Sequence, residues 1–251
     1  HEVSVACTQC GASIDPRADE RLLECPFCAT ALVVDGSMTL FHEVMRPTVQ
    51  LDQVASHLRR FLGGRSTVAD LDRKARLDDQ KLEYFPFWAF TVVDGGIEKV
   101  VLQPADPSSL QGLQGLELPA GQNRPMRSDL TGSTRVIEPE VQAANAIEWL
   151  RARQGEVEVR RTVLYHLPMY RSPYSFKGRT YQAAVDGVSG KVFPAEFPAK
   201  AEAPFVGVAI LAVAVFGIEG LVIQNLAVKL FAYMVSAVPI LTIAWLTSKK
   251  V

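Results

Sequence analysis

Apolar residues are most concentrated towards the C-terminal end. Residues 205–246 form a forty-two-residue stretch with only two charges, Glu219 and Lys229. A helix needs roughly 20 apolar residues to cross a hydrocarbon core. Segments 205–223 and 226–246 each come close to that length, and the polar pair Gln224-Asn225 separates them. The pattern predicts a two-helix transmembrane hairpin, with every backbone amide satisfied inside its own helix as lipid demands. A buried hairpin of a soluble protein would carry a polar face, and neither segment has one. Glu219 and Lys229 flank the turn, where they can pair with each other, snorkel to the interface or meet a partner in the membrane. Small residues such as Gly207, Gly217, Gly220, Ala232 and Ser236 permit close packing, which either closes the hairpin or builds a homo-oligomer.

Upstream, the periodicity changes. Residues 37–46 alternate as a strand that Pro47 ends, and Leu51, Val54, Leu58 and Leu62 then recur at helical spacing up to Gly63-Gly64. A second helix is expected over 67–80, with Asp70/Lys74 and Asp72/Arg76 as i,i+4 pairs. Residues 84–93 are dense in aromatic and β-branched side chains and predict a buried strand, in which Pro86 marks a bulge or an edge. Asp94-Gly95-Gly96 turns it into a second strand over 97–102. Residues 103–135, rich in Pro, Gly, Ser and Gln, read as a long loop. A helix over 139–154 and strands from 157 to 193 follow, with turns at Lys177-Gly178 and 186–190, as in an antiparallel meander. Pro194, Pro198 and Pro204 then mark a stiff linker.

Pro47, Val49, Gln50, Leu58, Arg59 and Gly63 recur as Pro139, Val141, Gln142, Leu150, Arg151 and Gly155, all 92 residues later. Both segments lead to an aromatic strand with proline, at Pro86 and Pro168. The expectation is an α+β body over 37–200 with a central antiparallel sheet, built from two repeats (37–103 and 136–195) joined by the 104–135 loop.

The net charge of −1 over 251 residues argues against a general nucleic-acid binder. The chain begins at His1 rather than Met, and residues 1–36 hold no apolar run of signal-peptide length. Lys200 precedes the apolar stretch and Lys249-Lys250 follow it, while the turn between its halves has no basic residue. The positive-inside rule therefore puts both termini in the cytoplasm of a two-pass inner or plasma membrane protein.

The four cysteines form two close pairs, Cys7/Cys10 and Cys25/Cys28, fourteen residues apart. A C-x2-C turn aims two thiolates at one point, and a second turn completes a tetrahedron. Gly11 and Pro26 suit the two knuckle turns. In a reducing compartment this pattern means metal ligands and not disulfides. It predicts a zinc ribbon over 1–36 with structural Zn2+, with a rubredoxin-style iron site as the runner-up. Four cysteines leave no open coordination position for catalysis. Residues 1–36 carry Arg17 and Arg21 against six acidic residues, the wrong sign for phosphate contacts.

No nucleophile or metalloprotease motif occurs, and His1, His42, His57 and His166 lack a second ligand or carboxylate at a telling spacing. The stretch 187–191 is too short for a phosphate loop. The chain reads as a non-enzyme without catalytic residues.

The two knuckles, the Tyr84-x-Pro86-Phe87-Trp88 strand, the Tyr181 to Val192 hairpin with Asp186-Gly187-x-x-Gly190-Lys191, and the terminal apolar stretch occur in that order. The combination resembles prokaryotic zinc-ribbon membrane proteins of the transcription-factor-B-type zinc-ribbon label. The resemblance implies a non-catalytic adaptor or accessory subunit of a membrane assembly, with partners among membrane-complex subunits such as flotillin-like (SPFH) proteins. A membrane-tethered nucleic-acid-binding ribbon and a membrane-surface enzyme stand as alternatives.

Overall fold

A computed structural model describes residues 4–17, 20–118, 123–125, 131–200 and 203–250. The chain divides into one unit of residues 1–62 and 72–197 and another of 63–71 and 198–251. The fold is α+β. In chain order its elements begin with β1 (Val5–Ala6), β2 (Ser13–Ile14), β3 (Leu22–Glu24), β4 (Ala31–Asp35), β5 (Met38–Met45), α1 (Leu51–Leu62), α2 (Leu71–Lys74) and β6 (Arg76–Leu77). Then come β7 (Lys81–Asp94), β8 (Ile97–Pro104), a 3-10 turn (Leu113–Gly115), β9 (Asn123–Pro125), β10 (Arg135–Val136) and α3 (Ala143–Gln154). The remainder is β11 (Glu158–Arg171), β12 (Tyr174–Phe176), β13 (Arg179–Tyr181), β14 (Ala183–Asp186), β15 (Val192–Pro194), α4 (Ala203–Val222) and α5 (Leu226–Lys250).

Two fourteen-residue strands, β7 and β11, pair antiparallel through the middle of a ten-stranded sheet. Both faces of this pair are covered, which is why their centres read as continuous apolar runs. Phe85, Phe87, Ala89, Tyr165, Leu167 and Met169 pack with Leu113 and Leu116 of the 105–118 segment. Trp88, Phe90, Val92 and Leu164 pack with Ala143, Ala146 and Leu150 of α3. The 105–118 part of the expected loop is therefore a covering layer.

The sheet is mixed, where an antiparallel one was expected. β5 runs parallel to β11, with Val44 opposite His166, and β10 runs parallel to β7, with Val136 opposite Tyr84. The parallel pairs arise because two strand–helix–strand segments each lend their first strand to the other's second strand. The same bonds occur twice. The amides of Thr48 and Val49 donate to Gly187 O, and those of Glu140 and Val141 to Ala105 O. Gly187 N–H donates to Pro168 O (2.7 Å) and Ala105 N–H to Pro86 O (3.0 Å). Tyr170 Oη donates to Val49 O and Trp88 Nε1 to Val141 O, each at 2.8 Å. α1 and α3 are both 12 residues long, in register at the spacing of 92.

These bonds explain Pro86, which lies on neither a bulge nor an edge. In a strand, N and C=O of one residue face the same side. Pro86 O faces Ala105 at the seam where β7 changes partner from β8 (Phe87 opposite Pro104) to β10 (Tyr84 opposite Val136). No ladder donor is needed there, so an imide nitrogen is tolerated. Pro168 occupies the matching seam of β11, between β5 and β14.

The helix expected over 67–80 shrinks to the four residues of α2. Asp70 has φ 62 and blocks continuation towards the N-terminus. Arg76 and Leu77 leave the helix to pair with β12, and Arg76 contacts Asp78 at 3.1 Å instead of forming an i,i+4 pair. The expected proline linker is also partly structured: Val68 N–H donates to Pro198 O, Lys200 N–H to Ser66 O, and Thr67 bridges Ala199.

α4 and α5 contact each other directly. Lys229 Nζ donates to Gly220 O at 2.9 Å, Ser236 Oγ donates to Glu219 Oε1, and Phe216 meets Tyr233 edge-on. Glu219 and Lys229 therefore take separate partners. Asn225 caps α5 by accepting from the amides of Ala227 and Val228, which gives the predicted turn its chemistry. Leu226–Leu246 is long and apolar enough to cross a membrane; Val206–Val222 is a shorter apolar helix. Pro239 lies inside α5.

Asp35, at the end of β4 and 7% exposed, accepts from Ala143 N–H at the start of α3 (3.0 Å). α3 has no side-chain cap of its own, so this carboxylate caps it from a distant strand. Arg21 stands 4.0 Å from the other oxygen, a charge contact too long for a hydrogen bond. Asp35→Ala should lower stability by about 1–2 kcal/mol, read from thermal unfolding; Asp35→Asn, which keeps an acceptor, should recover part of the loss.

Candidate metal centre

The four predicted cysteines converge, their Sγ atoms all within 4.8 Å of one another. Cys7 and Cys28 are 3.8 Å apart, as are Cys10 and Cys25. A tetrahedron with metal–sulfur bonds of about 2.3 Å has sulfur–sulfur edges of about 3.8 Å. Cys7 and Cys25 are buried while Cys10 and Cys28 face solvent.

Both knuckles use the same backbone. In the first, Cys7 O accepts from Gly11 N–H and Cys7 N–H donates to Ala12 O; in the second, Cys25 O accepts from Ala29 N–H and Cys25 N–H donates to Thr30 O, all at 2.9 Å. Each requires a left-handed residue after its second cysteine. Gly11 (φ 74) supplies it freely, whereas Ala29 (φ 57) supplies it against the clash of its Cβ. Ala29→Gly should therefore stabilise the metal-loaded protein by about 0.5–1 kcal/mol, and Gly11→Ala should destabilise it by a similar amount, in thermal unfolding with metal in excess.

The knuckles are anchored to the rest of the fold. β3 and β4 flank the second knuckle, and β4 pairs with β5, so this hairpin continues the ten-stranded sheet. The first knuckle is tied to β5 through Thr39, which accepts from Thr8 N–H (3.0 Å) and donates to Ala6 O (2.8 Å). Val5, Ile14 and Leu32 pack around Cys7 and Cys25.

Four thiolates this close repel one another. Hydrogen bonds from the Thr30 hydroxyl and backbone hold the Cys28 thiol down at about 6. Cys10 is pulled down by its contact with Ala12, but desolvation and the other three sulfurs push it up to about 12. Cys10 and Cys28 are thus driven in opposite directions, and a cation at the centre of the cluster would favour the thiolate at both. The donor set fits a soft, tetrahedral divalent metal held for structure, with no position left for substrate.

A second polar pair escaped sequence reasoning. His42 on β5 and His166 on β11 are buried, with His42 Nε2 2.7 Å from His166 Nδ1. The Ile137 carbonyl lies 2.6 Å from His166 Nε2 and can only accept. His166 therefore carries its proton on Nε2, and His42 donates to its Nδ1. Burial, reinforced by His166, pushes His42 well below its ordinary value; burial takes His166 down to about 4, opposed by the Ile137 hydrogen bond. The available signal was phase: His42 sits between Leu40 and Val44, and His166 between Leu164 and Pro168, on the apolar alternation of each strand.

No family model, curated protein or solved structure matches this chain.

Proposed function

We propose that this is a membrane-anchored zinc-ribbon protein that serves as a non-catalytic adaptor or accessory subunit of a membrane assembly. One observation carries the reading: no residue of the apolar helix Leu226–Leu246 is buried inside the protein. Side chains such as Leu221 (80% exposed) and Val213 (74%) on α4, and Leu226 (70%) on α5, face outward. So much exposed apolar surface calls for lipid or protein to cover it. α4 joins α5 as the second span of a hairpin, with both termini on the cytoplasmic side. The tetrathiolate centre holds zinc as a structural ion and ties the N-terminal segment to the sheet. Protein contacts through this body are the adaptor's business, with flotillin-like membrane proteins as the partner class that the resemblance implies.

Two measurements test it. The full chain should stay with membranes through alkaline extraction, and in mild detergent it should copurify with other chains at fixed ratio. Release by alkali would refute the anchor. A monodisperse monomer under all detergent conditions would refute the adaptor role. Salt-sensitive binding to nucleic acid would favour the tethered nucleic-acid-binding ribbon instead.

A further inference from the structure

A cavity of about 650 Å3 lies between the 103–114 segment and α3, walled by Gln103, Asp106, Ser108, Ser109, Gln111 and Trp149 among others. The size is that of a small-molecule site. We infer that this cavity binds a neutral polyhydroxylated ring, a mono- or disaccharide.

The strongest argument is the matching place in the other half of the molecule. Because the bonds around Ala105 and Gly187 are the same, Gln103 corresponds to Val185, Asp106 to Val188 and Trp149 to His57. In that second copy the space is closed. His57 lies against Gly190 so tightly that a Cβ there would stand 2.2 Å from the ring. Asp186 is buried and locks the turn by accepting from the amides of Val188 and Ser189. The closed copy thus shows what a purely structural version of this corner needs: two valines, a glycine and a ring packed on backbone. The first copy has polar groups at the corresponding wall positions and a half-exposed indole, and it stays open.

The wall defines the ligand. Trp149 is 52% exposed and offers a flat aromatic surface to the apolar face of a sugar ring. Gln103 is 2% exposed, and its buried Nε2 has no hydrogen-bond partner among the described residues. Asp106 accepts from hydroxyls, and Ser108, Ser109 and Gln111 both donate and accept. Among the described residues, no Lys or Arg lines the cavity, which disfavours anions. One indole is too few for the aromatic cage that an organic ammonium needs.

The test uses the full chain in a polyoxyethylene detergent, which carries no sugar. Maltose and diacetylchitobiose are titrated to about 50 mM, the range of weak single-ring recognition, with saturation-transfer NMR and tryptophan emission as readouts. Tetramethylammonium and inorganic phosphate are titrated in parallel. At least one disaccharide should bind saturably. Trp149→Ala should weaken it at least tenfold and Asp106→Asn by a smaller factor, while His57→Ala should leave it unchanged. Trp149 is a surface residue, and unchanged circular dichroism of its variant would separate lost binding from lost fold. Absence of saturable binding by either sugar, indifference to Trp149→Ala, or tighter binding of tetramethylammonium or phosphate would overturn the proposal.

Discussion

Stripping the metal from the four cysteines should loosen structure beyond the first 36 residues. Purified protein is expected to hold one equivalent of zinc, and Cys25→Ser should lose it and lower stability by several kcal/mol. Structural zinc in small domains is bound with about 10–16 kcal/mol of apparent free energy, much of which is folding free energy. The effect spreads here because the second knuckle is the turn of the β3–β4 hairpin, and β4 pairs with β5. Chelation should therefore also expose amides of Ala31–Asp35 and, across the β4–β5 ladder, that of Leu40 to hydrogen exchange, together with the α3 amide that Asp35 caps. Confinement of the change to residues before Asp35 would refute this coupling. Less than half an equivalent of zinc, with Cys7→Ser and Cys25→Ser changing neither metal content nor stability, would remove the zinc assignment itself.

The second large effect is a loss of stability on mild acidification. Both His42 and His166 have values below the ordinary 6.5 in the folded state. The unfolded chain then binds protons first as pH falls. Stability from this source is complete above about pH 6.5 and is lost progressively towards about pH 4 for His166. By pH 5 the loss from His166 is about 2 kcal/mol, and His42 adds to it in the same direction. Thermal unfolding at pH 8 and pH 5 measures it. Acid also weakens thiolate–metal bonds, so the comparison that isolates the histidines is with His42→Gln. Its amide still donates towards His166 Nδ1, and the metal contribution is common to both proteins. The pH 8 to 5 loss should be smaller in the variant; an undiminished loss would place the acid sensitivity elsewhere.

What the chain reveals in advance depends on how local the cause is. The cysteine knuckles are legible because two residues and a turn suffice to aim two sulfurs. The β7–β8 turn is legible because Gly95 and Gly96, with φ 57 and 83, take the left-handed conformation that a two-residue hairpin demands. α1 and α3 are legible because Val54, Leu58 and Leu62, and Ala146 and Leu150, repeat at helical spacing. The failures are non-local. Val68, Leu71 and Ala75 have helical spacing, yet the chain after Lys74 joins a strand nearly a hundred residues away. The parallel pairs of the sheet depend on which strand each segment meets. His42 and His166 are 124 positions apart, and each looks ordinary until β5 and β11 lie side by side.

The three-residue β3 has one further consequence. It is the outermost strand beyond β4, whose residues Ala31, Leu32 and Val33 are almost fully buried. An apolar strand that loses its outer neighbour presents a row of free amides and carbonyls to any other chain. β3 is only three residues long, so a metal held by the adjacent cysteines would keep it there. A bound ion would thus guard the rim of the sheet, and protein stripped of its metal should self-associate through β4.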